Sequence, residues 1–191
     1  MDTNIYSGDL VRLAAEDNES MAEEIAKWQL DSEYLRLLDA DPARLWSVKK
    51  VKEWLDKDLE KPLNDFFFSV RTLDGDKLIG FVGLFGLQWN HGNVMVGLGI
   101  GDRELWGKGY GTDVMRLILR YAFTELNVFR VTLNVFEYNP RAIRSYEKAG
   151  FKVEGRMREF LHRDGRRWDL LYMGVLKDEW EQNGNRSNHK A

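Results

Sequence analysis

The sequence contains no cysteine, so disulfide bonds, thiolate metal sites and a cysteine nucleophile are all excluded. Histidine is scarce as well, and His91, His162 and His189 are too scattered to form a metal-ligand spacing. We therefore expect no metal site. A chain without cysteine fits a reducing compartment, which favours a cytoplasmic location.

Long apolar runs are also absent. The longest, LIGFVGLFGL at 78–87, is too short to cross a bilayer and is typical of a strand. The opening segment, MDTNIYSGDLVRL, lacks a basic region followed by an apolar one, so no signal peptide is expected. Positive charge is not in excess, because the formal net charge is −3. Membrane and nucleic-acid partners are therefore not expected.

What the sequence does contain is typical of a globular domain. Hydrophobic residues make up 43% of the 191 residues and aromatic residues 13%, which is enough to bury a core. We interpret residues 1–180 as a single domain. Residues 181–191 are polar, and we expect them to form a frayed C-terminal tail.

The spacing of the apolar residues predicts an α/β domain with helices first, then an antiparallel meander, then alternating strands and helices. In chain order, the prediction is a strand at 9–15, helices at 18–30 and 47–60, a strand–turn–strand unit at 65–87, a strand at 93–102, a helix at 110–126, a strand at 129–136, a helix at 139–150 and two strands around 164–165. The segment 31–46, which carries Tyr34 and Trp46, is interpreted as a connection.

The stretch ELWGKGYGTD at 104–113 places three glycines at alternate positions just before a predicted helix. It is not a Walker loop, because Gly109 and not Ser or Thr follows Lys108, and its GxGxG spacing is not the dinucleotide fingerprint. Unpaired amides at a helix N-terminus attract anions, and glycines let a phosphate approach them closely. A tight strand-to-helix turn without a ligand remains the alternative.

The order WGKGYG, helix, strand and then NPRAIRSYEKAGF resembles the GNAT superfamily of N-acetyltransferases, and within it the RimJ/RimL-like branch of ribosomal-protein N-acetyltransferases. The resemblance runs from LVRLAA to LLYMGVL, which is nearly the whole chain. It implies an α/β (α+β) fold with one mixed, mostly antiparallel sheet of six to seven strands and helices on both faces. It also implies acetyl-CoA (coenzyme A) as the co-substrate.

The resemblance also implies which residues of this chain bind the cofactor. By this resemblance, the residues that border the pyrophosphate and the rest of the cofactor are Trp106, Gly107, Lys108, Gly109, Gly111, Thr112 and Asn139. Trp106 departs from the family pattern, which has Arg or Gln there. Asn139 is also predicted to cap its helix, with Pro140 at the first helical position and Gly150 after the last turn.

The preceding strand carries Gly97, Gly99 and Gly101 on one face, with Leu98 and Ile100 on the other. The resemblance implies that the pantetheine arm lies in the gap where this strand and the next one diverge, so the glycine face is interpreted as a groove. Close packing of a helix against that face is the alternative.

The resemblance also places Tyr146 at the thioester sulfur, where its hydroxyl would assist the departing thiolate; a core tyrosine is the alternative. The position where relatives often carry a glutamate as the base is Gly97 here. The remaining candidates for a base are His91, Glu33, Glu137, Asp169 and a water chain to solvent.

The expected function is acetyl-CoA-dependent transfer of an acetyl group to a primary amine by direct attack in a ternary complex. The amine belongs either to a protein N-terminus or to a small molecule. A non-catalytic acyl-CoA-binding sensor is the alternative, and a nucleotide-binding regulatory domain is a weaker one. A homodimer through terminal-strand pairing is also expected.

Overall fold

The computed structural model describes residues 4–15, 18–59 and 64–185. Within these residues seven strands form one sheet in the order β1-β2-β3-β4-β5-β7-β6. Every neighbouring pair is antiparallel except β4–β5, which is parallel, so the predicted mixed and mostly antiparallel sheet is confirmed. The strands are β1 Val11–Ala14, β2 Phe66–Thr72, β3 Leu78–Gln88, β4 Asn93–Ile100, β5 Arg130–Phe136, β6 Lys152–Arg163 and β7 Arg166–Leu176.

The helices of the described residues are α1 Asn18–Trp28, α2 Ser32–Leu38, α3 Val48–Leu59, α4 Tyr110–Thr124, α5 Pro140–Ala149 and the short α6 Lys177–Trp180. The interpretation of 31–46 as a plain connection is wrong, because α2 lies within it. Asp31 caps this helix, since its carboxylate accepts hydrogen bonds from the amides of Glu33 (3.0 Å) and Tyr34 (3.4 Å). Seven residues are too few to show helical periodicity, so the cap was the usable signal.

The C-terminal end is more regular than the sequence suggested. After β7 the chain turns directly into α6, whose Trp180 is buried against Phe123 of α4. A single π-helical turn, Glu181–Asn185, follows. The rest of the predicted tail, 186–191, lies outside the described residues.

The sheet separates two apolar cores. The larger core lies between the sheet and α4, with Ala142, Ile143 and Tyr146 of α5 packed on its border. The smaller one lies under α1, α2 and α3 on the opposite face and includes Trp28 and Tyr34. Helices therefore cover both faces, as the sequence resemblance implied.

Strands β4 and β5 pair for only three residues, from Asn93–Arg130 to Met95–Thr132. Beyond that point β4 remains paired with β3, and β5 with β7, so the two strands part. The parting exposes one backbone edge of each strand inside the molecule. This opening is the feature around which the candidate site is built.

Arginines of the basic β6–β7 hairpin have partners within the described residues. Arg156 pairs with Asp169 (2.6 Å) and Glu137 (3.1 Å). Arg163 donates to the Tyr138 hydroxyl (2.6 Å) and to the carbonyls of four residues at the end of α2 and after it: Arg36, Asp39, Ala40 and Asp41. Arg163 thus holds the C-terminal end of α2 against the hairpin, and its charge suits a helix C-terminus.

A second long-range tie joins the N-terminal turn to the start of α4. The buried carboxylate of Asp113 accepts hydrogen bonds from the amides of Asp9 (3.1 Å), Leu10 (2.7 Å) and Val11 (3.1 Å). Gly8 approaches so closely that a Cβ there would lie 2.6 Å from the Asp113 carboxylate. One side chain therefore satisfies three backbone donors and fixes where α4 begins.

We expect Asp113→Ala to lower the free energy of unfolding by about 2–4 kcal/mol, because three amides lose a charged acceptor in a buried place. Chemical denaturation at neutral pH measures this change. Asp41→Ala is the matched control, since Asp41 is exposed and its carboxylate has no hydrogen bond within the described ranges. A loss below about 0.5 kcal/mol for Asp113→Ala would show that the tie contributes little.

Candidate functional site

A cavity of about 370 Å³ opens where β4 and β5 part. Its walls are formed by residues 96–100 of β4, residues 134–136 of β5, the turn and first residues of α4, one side of α5, and Tyr34, Leu37 and Leu38 of α2. All predicted site residues except Lys108 line it: Trp106, Gly107, Gly109, Gly111, Thr112, Asn139 and Tyr146. The structure thus brings together two motifs that are about 30 residues apart in the sequence.

The start of α4 is built to receive an anion. Gly109 is the N-cap with φ of +96°, a left-handed conformation that favours glycine, and no side chain caps the helix. The first amide to bond inside the helix is that of Asp113, which donates to the Gly109 carbonyl at 3.0 Å. The amides of Tyr110, Gly111 and Thr112 therefore have no acceptor within the helix, and the helix dipole adds positive potential there.

Gly111 lets the wall of the cavity come close to this helix end. A Cβ at Gly111 would lie 3.5 Å from the Ser145 Oγ and 3.7 Å from a Leu98 methyl, which are ordinary contact distances. The Thr112 and Ser145 hydroxyls are 2.9 Å apart and hydrogen-bonded, which ties α4 to α5. The side chain of Thr112 therefore has a structural bond in addition to its place at the cavity.

Trp106, the departure from the family pattern, seals the end of β4. Its indole Nε1 donates to the Ile100 carbonyl at 2.8 Å, at a level where β4 is still paired with β3 but no longer with β5. The guanidinium of Arg141 lies 3.7 Å from the indole ring centroid, and that of Arg103 lies 5.2 Å from it. Burial lowers the pKa of Arg141 from its ordinary value, yet the group remains cationic at neutral pH. The aromatic ring thus holds a cation at the cavity.

The glycine face of β4 is filled by aromatic rings, so the interpretation of that face as an open groove is wrong. A Cβ at Gly101 would lie 1.9 Å from the Trp28 ring, and one at Gly99 would lie 2.8 Å from Phe81 and 3.1 Å from the Tyr34 hydroxyl. The expectation for the opposite face is confirmed, because Leu98 and Ile100 pack against the larger core. The free backbone edge of β4 is what the cavity exposes.

Tyr146 stands on the α5 side of the cavity. Asn139 caps α5 by accepting from the Ala142 amide at 3.2 Å, and Gly150 ends it with φ of +106°. Burial raises the pKa of Tyr146 to about 12, with Arg141 opposing the shift. The phenol is therefore protonated throughout the neutral range and can donate its proton or a hydrogen bond.

None of the candidate bases reaches the cavity. Glu33 pairs with Arg103 at 2.6 Å, and Glu137 and Asp169 both pair with Arg156. The amide of Glu159 and the Arg156 guanidinium hold the pKa of Asp169 below its usual range, which weakens it further as a base. His91 is exposed in the β3–β4 turn, at the far end of β4. Among the described residues, the lining contains no aspartate, glutamate or histidine.

Sequence reasoning missed several lining residues. Leu37 and Leu38 belong to the unpredicted helix α2. Asn134 is an exposed polar residue on β5 at the level where β4 has turned away. Ser145 is not predicted as a site residue, because the family resemblance assigns a role only to its neighbour Tyr146. Arg144 and Lys148 add positive charge to the α5 wall. Asn134 had no distinguishing signal, because polar and apolar residues alternate along residues 130–135 as in any half-exposed strand.

The described ranges contain neither a cluster of metal-binding side chains nor a helix able to span a membrane. No group of three or more histidine, aspartate or glutamate side chains there could hold a metal ion. No helix there has both the length and the apolar character needed to span a membrane.

Comparison with known proteins adds a family match. The model of the acetyltransferase (GNAT) domain matches residues 10–152. The "Probable N-acetyltransferase YjcK" of Bacillus subtilis is 34% identical over 137 residues, covering 70% of this chain and 73% of that protein. The "Putative ribosomal N-acetyltransferase YdaF" of the same species is 35% identical over 104 residues, 54% of this chain and 56% of that protein. The second match agrees with the resemblance to the RimJ/RimL-like branch.

The solved structures show the same fold. Spermidine N-acetyltransferase from Vibrio cholerae, crystallised with CoA and spermine, superposes with a TM-score of 0.78 over 90% of this chain and 98% of that one. The two sequences are 24% identical. The likeness therefore concerns the arrangement of strands and helices.

Proposed function

This chain belongs to the GNAT family of acetyltransferases, and on that premise we propose that its acetyl-CoA lies in the cavity between the parted strands. The protein is an N-acetyltransferase with acetyl-CoA as co-substrate. One observation carries the placement: the free amides of α4, the unpaired edge of β4 and Tyr146 all meet at a single opening.

The residues present fit such a ligand. Coenzyme A is anionic, and the amides of Gly111 and Thr112 at the start of α4 are donors that lack an intrahelical acceptor. Arg144 and Lys148 on the α5 wall supply further positive charge. The unpaired edge of β4 offers backbone groups to an amide-containing arm. These groups would fix the thioester end near Tyr146.

The reaction we propose is direct transfer in a ternary complex. The amine lone pair attacks the thioester carbonyl carbon, a C–N bond forms, and the C–S bond breaks. The Tyr146 hydroxyl donates a proton to the departing sulfur, and the amine gives up one proton to solvent, which reprotonates the phenolate. A phenol can fill this role because it carries its proton at neutral pH, at its ordinary pKa as well as at the raised pKa of Tyr146.

The acceptor we favour is a primary amine of low pKa, such as a protein N-terminal α-amine. A lining without aspartate, glutamate or histidine offers no strong base to deprotonate an ammonium group. The neutral amine must then come from solution. At pH 7 this costs about 3.4 kcal/mol more for a lysine-type amine than for an α-amine, because their pKa values differ by about 2.5 units.

A second candidate follows from the same observation. A cavity that binds an acyl-CoA but lacks a base would also suit a non-catalytic sensor. Incubation of the protein with acetyl-CoA and a panel of peptides, polyamines and aminoglycosides, with release of coenzyme A as the readout, separates the two. Turnover on any amine excludes the sensor, and tight acetyl-CoA binding without turnover on the whole panel favours it.

We also propose where this protein acts and how it assembles. We propose a cytoplasmic protein, with neither nucleic acid nor membrane as partner, and a homodimer formed through the outer strand β6. Support for the dimer is the exposure of β6 along most of its length, including Val153, Met157 and Phe160. An unpaired strand edge with exposed apolar side chains is a favourable surface for a second copy.

Gly111→Ala tests the placement of the phosphate. The new methyl has room in the free protein, and alanine is a better helix residue than glycine, so stability should stay equal or rise by up to about 1 kcal/mol. A phosphate at the α4 amides would meet that methyl, and we expect acetyl-CoA affinity to fall at least tenfold, about 1.4 kcal/mol. Calorimetry measures both quantities.

Gly155→Ala is the control, because a Cβ there meets nothing within 4 Å and the residue is outside the cavity. Gly109 is a poorer test site, since its φ of +96° would add backbone strain to any effect on binding. Wild-type acetyl-CoA affinity in a folded Gly111→Ala protein would contradict the placement.

Tyr146→Phe tests the proton donor. We expect kcat to fall by about 10²–10⁴-fold with little change in acetyl-CoA binding, because only the transition state loses the hydroxyl. Tyr172→Phe, an exposed tyrosine on β7, should keep wild-type kinetics. A core role for Tyr146 predicts near-normal kcat instead, so a kcat within threefold of wild type would exclude the donor role.

The pH profile tests the absence of a base. We expect kcat/KM to rise with a slope of one up to the pKa of the acceptor amine and then to level off. Because burial raises the pKa of Tyr146 to about 12, loss of its proton should not lower the rate between pH 6 and 10. The assay compares an N-terminal peptide with a polyamine. Faster turnover of the polyamine at pH 7, or an inflection shared by both amines, would reveal a base.

A further inference from the structure

The hydroxyl of Tyr34 is buried without a partner. The residue is only 3% exposed, and its hydroxyl has no hydrogen-bond partner among the described residues. Its ring is fixed edge-on against Trp28, with centroids 6.3 Å apart. Leaving a buried hydroxyl unpaired costs about 1–3 kcal/mol, so phenylalanine would suit the free protein better.

Tyr34 belongs to the wall of the cavity, and its hydroxyl is buried within that wall. Tyr34 lines the cavity together with Leu37 and Leu38 of the same helix. Its oxygen lies 3.1 Å from where a Cβ of Gly99 would be, so the lack of a side chain on β4 makes the space for it. Tyr34 belongs to the smaller core and Tyr146 to the border of the larger one, so the two phenols approach the parted strands from opposite faces.

We infer that Tyr34 binds the acceptor amine, its hydroxyl oxygen accepting a hydrogen bond from an N–H of the neutral amine while the nitrogen lone pair faces the thioester. The inference rests on the proposed function, which puts the phosphates on the α4 side and leaves the α2 side for the acceptor. Nearby acids are not free to do this work, because Arg103 pairs with both Asp31 and Glu33 at 2.6 Å.

The apolar neighbours of Tyr34 define the class of amine. Leu37, Leu38 and Phe81 line the same part of the cavity, and they offer no charge to balance an ammonium group. Burial raises the pKa of Tyr34, which keeps the phenol uncharged over the working range. A neutral hydroxyl in an apolar wall selects a neutral amine, and low-pKa amines supply that form at pH 7.

Tyr34→Phe tests the inference, because it removes the oxygen and keeps the ring. We expect kcat/KM for the amine to fall at least tenfold, mainly through a higher KM for the amine, while the KM for acetyl-CoA stays within twofold. The free energy of unfolding without ligands should stay equal or rise, since an unpaired buried hydroxyl is lost. A merely structural hydroxyl would give the opposite sign of stability change.

Tyr121→Phe is the matched control. Tyr121 is also buried, its ring packs against Phe66 and Phe68, and it is outside the cavity. This variant should keep wild-type kinetics for both substrates. Unchanged amine kinetics in Tyr34→Phe, a defect confined to acetyl-CoA, or a loss of stability greater than that of Tyr121→Phe would each overturn the role of Tyr34.

Direct binding separates this inference from the proposed function. Calorimetry of the best amine of the panel with the complex of protein and coenzyme A should show at least tenfold weaker binding for Tyr34→Phe than for wild type. A wild-type protein that acetylates amines while Tyr34→Phe binds them equally well refutes only the role of Tyr34. A wild-type complex that binds no amine of the panel refutes both proposals.

Discussion

The parting of β4 from β5 after three paired residues is the constraint on which the rest of the site depends. Parallel strands that stayed paired would satisfy each other's backbone groups and leave no opening. Parting them leaves donors and acceptors unpaired in the interior, which is costly unless a ligand or a side chain meets them. Trp106 meets the Ile100 carbonyl at the end of β4, and acetyl-CoA is the partner that we propose for the rest.

The two sides of the opening differ in charge, and we propose that each binds a different substrate. The α4 and α5 side presents helix amides together with Arg144 and Lys148, which suits an anionic ligand. The α2 side presents apolar side chains and one uncharged phenol. The nearest acids, Asp31 and Glu33, both pair with Arg103. In this proposal the charged groups bind the anionic co-substrate. The acceptor amine is selected by a hydrogen bond to an uncharged hydroxyl and by the shape of the apolar wall.

Local sequence signals predicted the fold and half of the site. Asn139, Pro140 and Gly150 mark the bounds of α5, and the glycines of 107–111 mark the start of α4, because caps and turns are set by single residues. Contacts between distant segments left no such mark. The glycine pattern of β4 predicts a groove, but the rings of Trp28, Tyr34 and Phe81 fill that face. These residues are distant in the sequence, so the pattern of β4 alone cannot reveal them. The partner of Asp113, 102–104 residues away in the sequence, was equally hidden.

The hydrogen bonds of Arg163 to α2 and the segment after it affect which substitutions this part of the protein tolerates. These hydrogen bonds all go to main-chain oxygens. Arg163 also donates to the Tyr138 hydroxyl. Main-chain oxygens persist whatever side chains the segment 36–41 carries. The cavity wall formed by Leu37 and Leu38 can therefore change its side chains while the hydrogen bonds of Arg163 to the main chain are kept. Substitutions at Leu37 and Leu38 can thus reshape this side of the cavity while the main-chain acceptors of Arg163 stay in place.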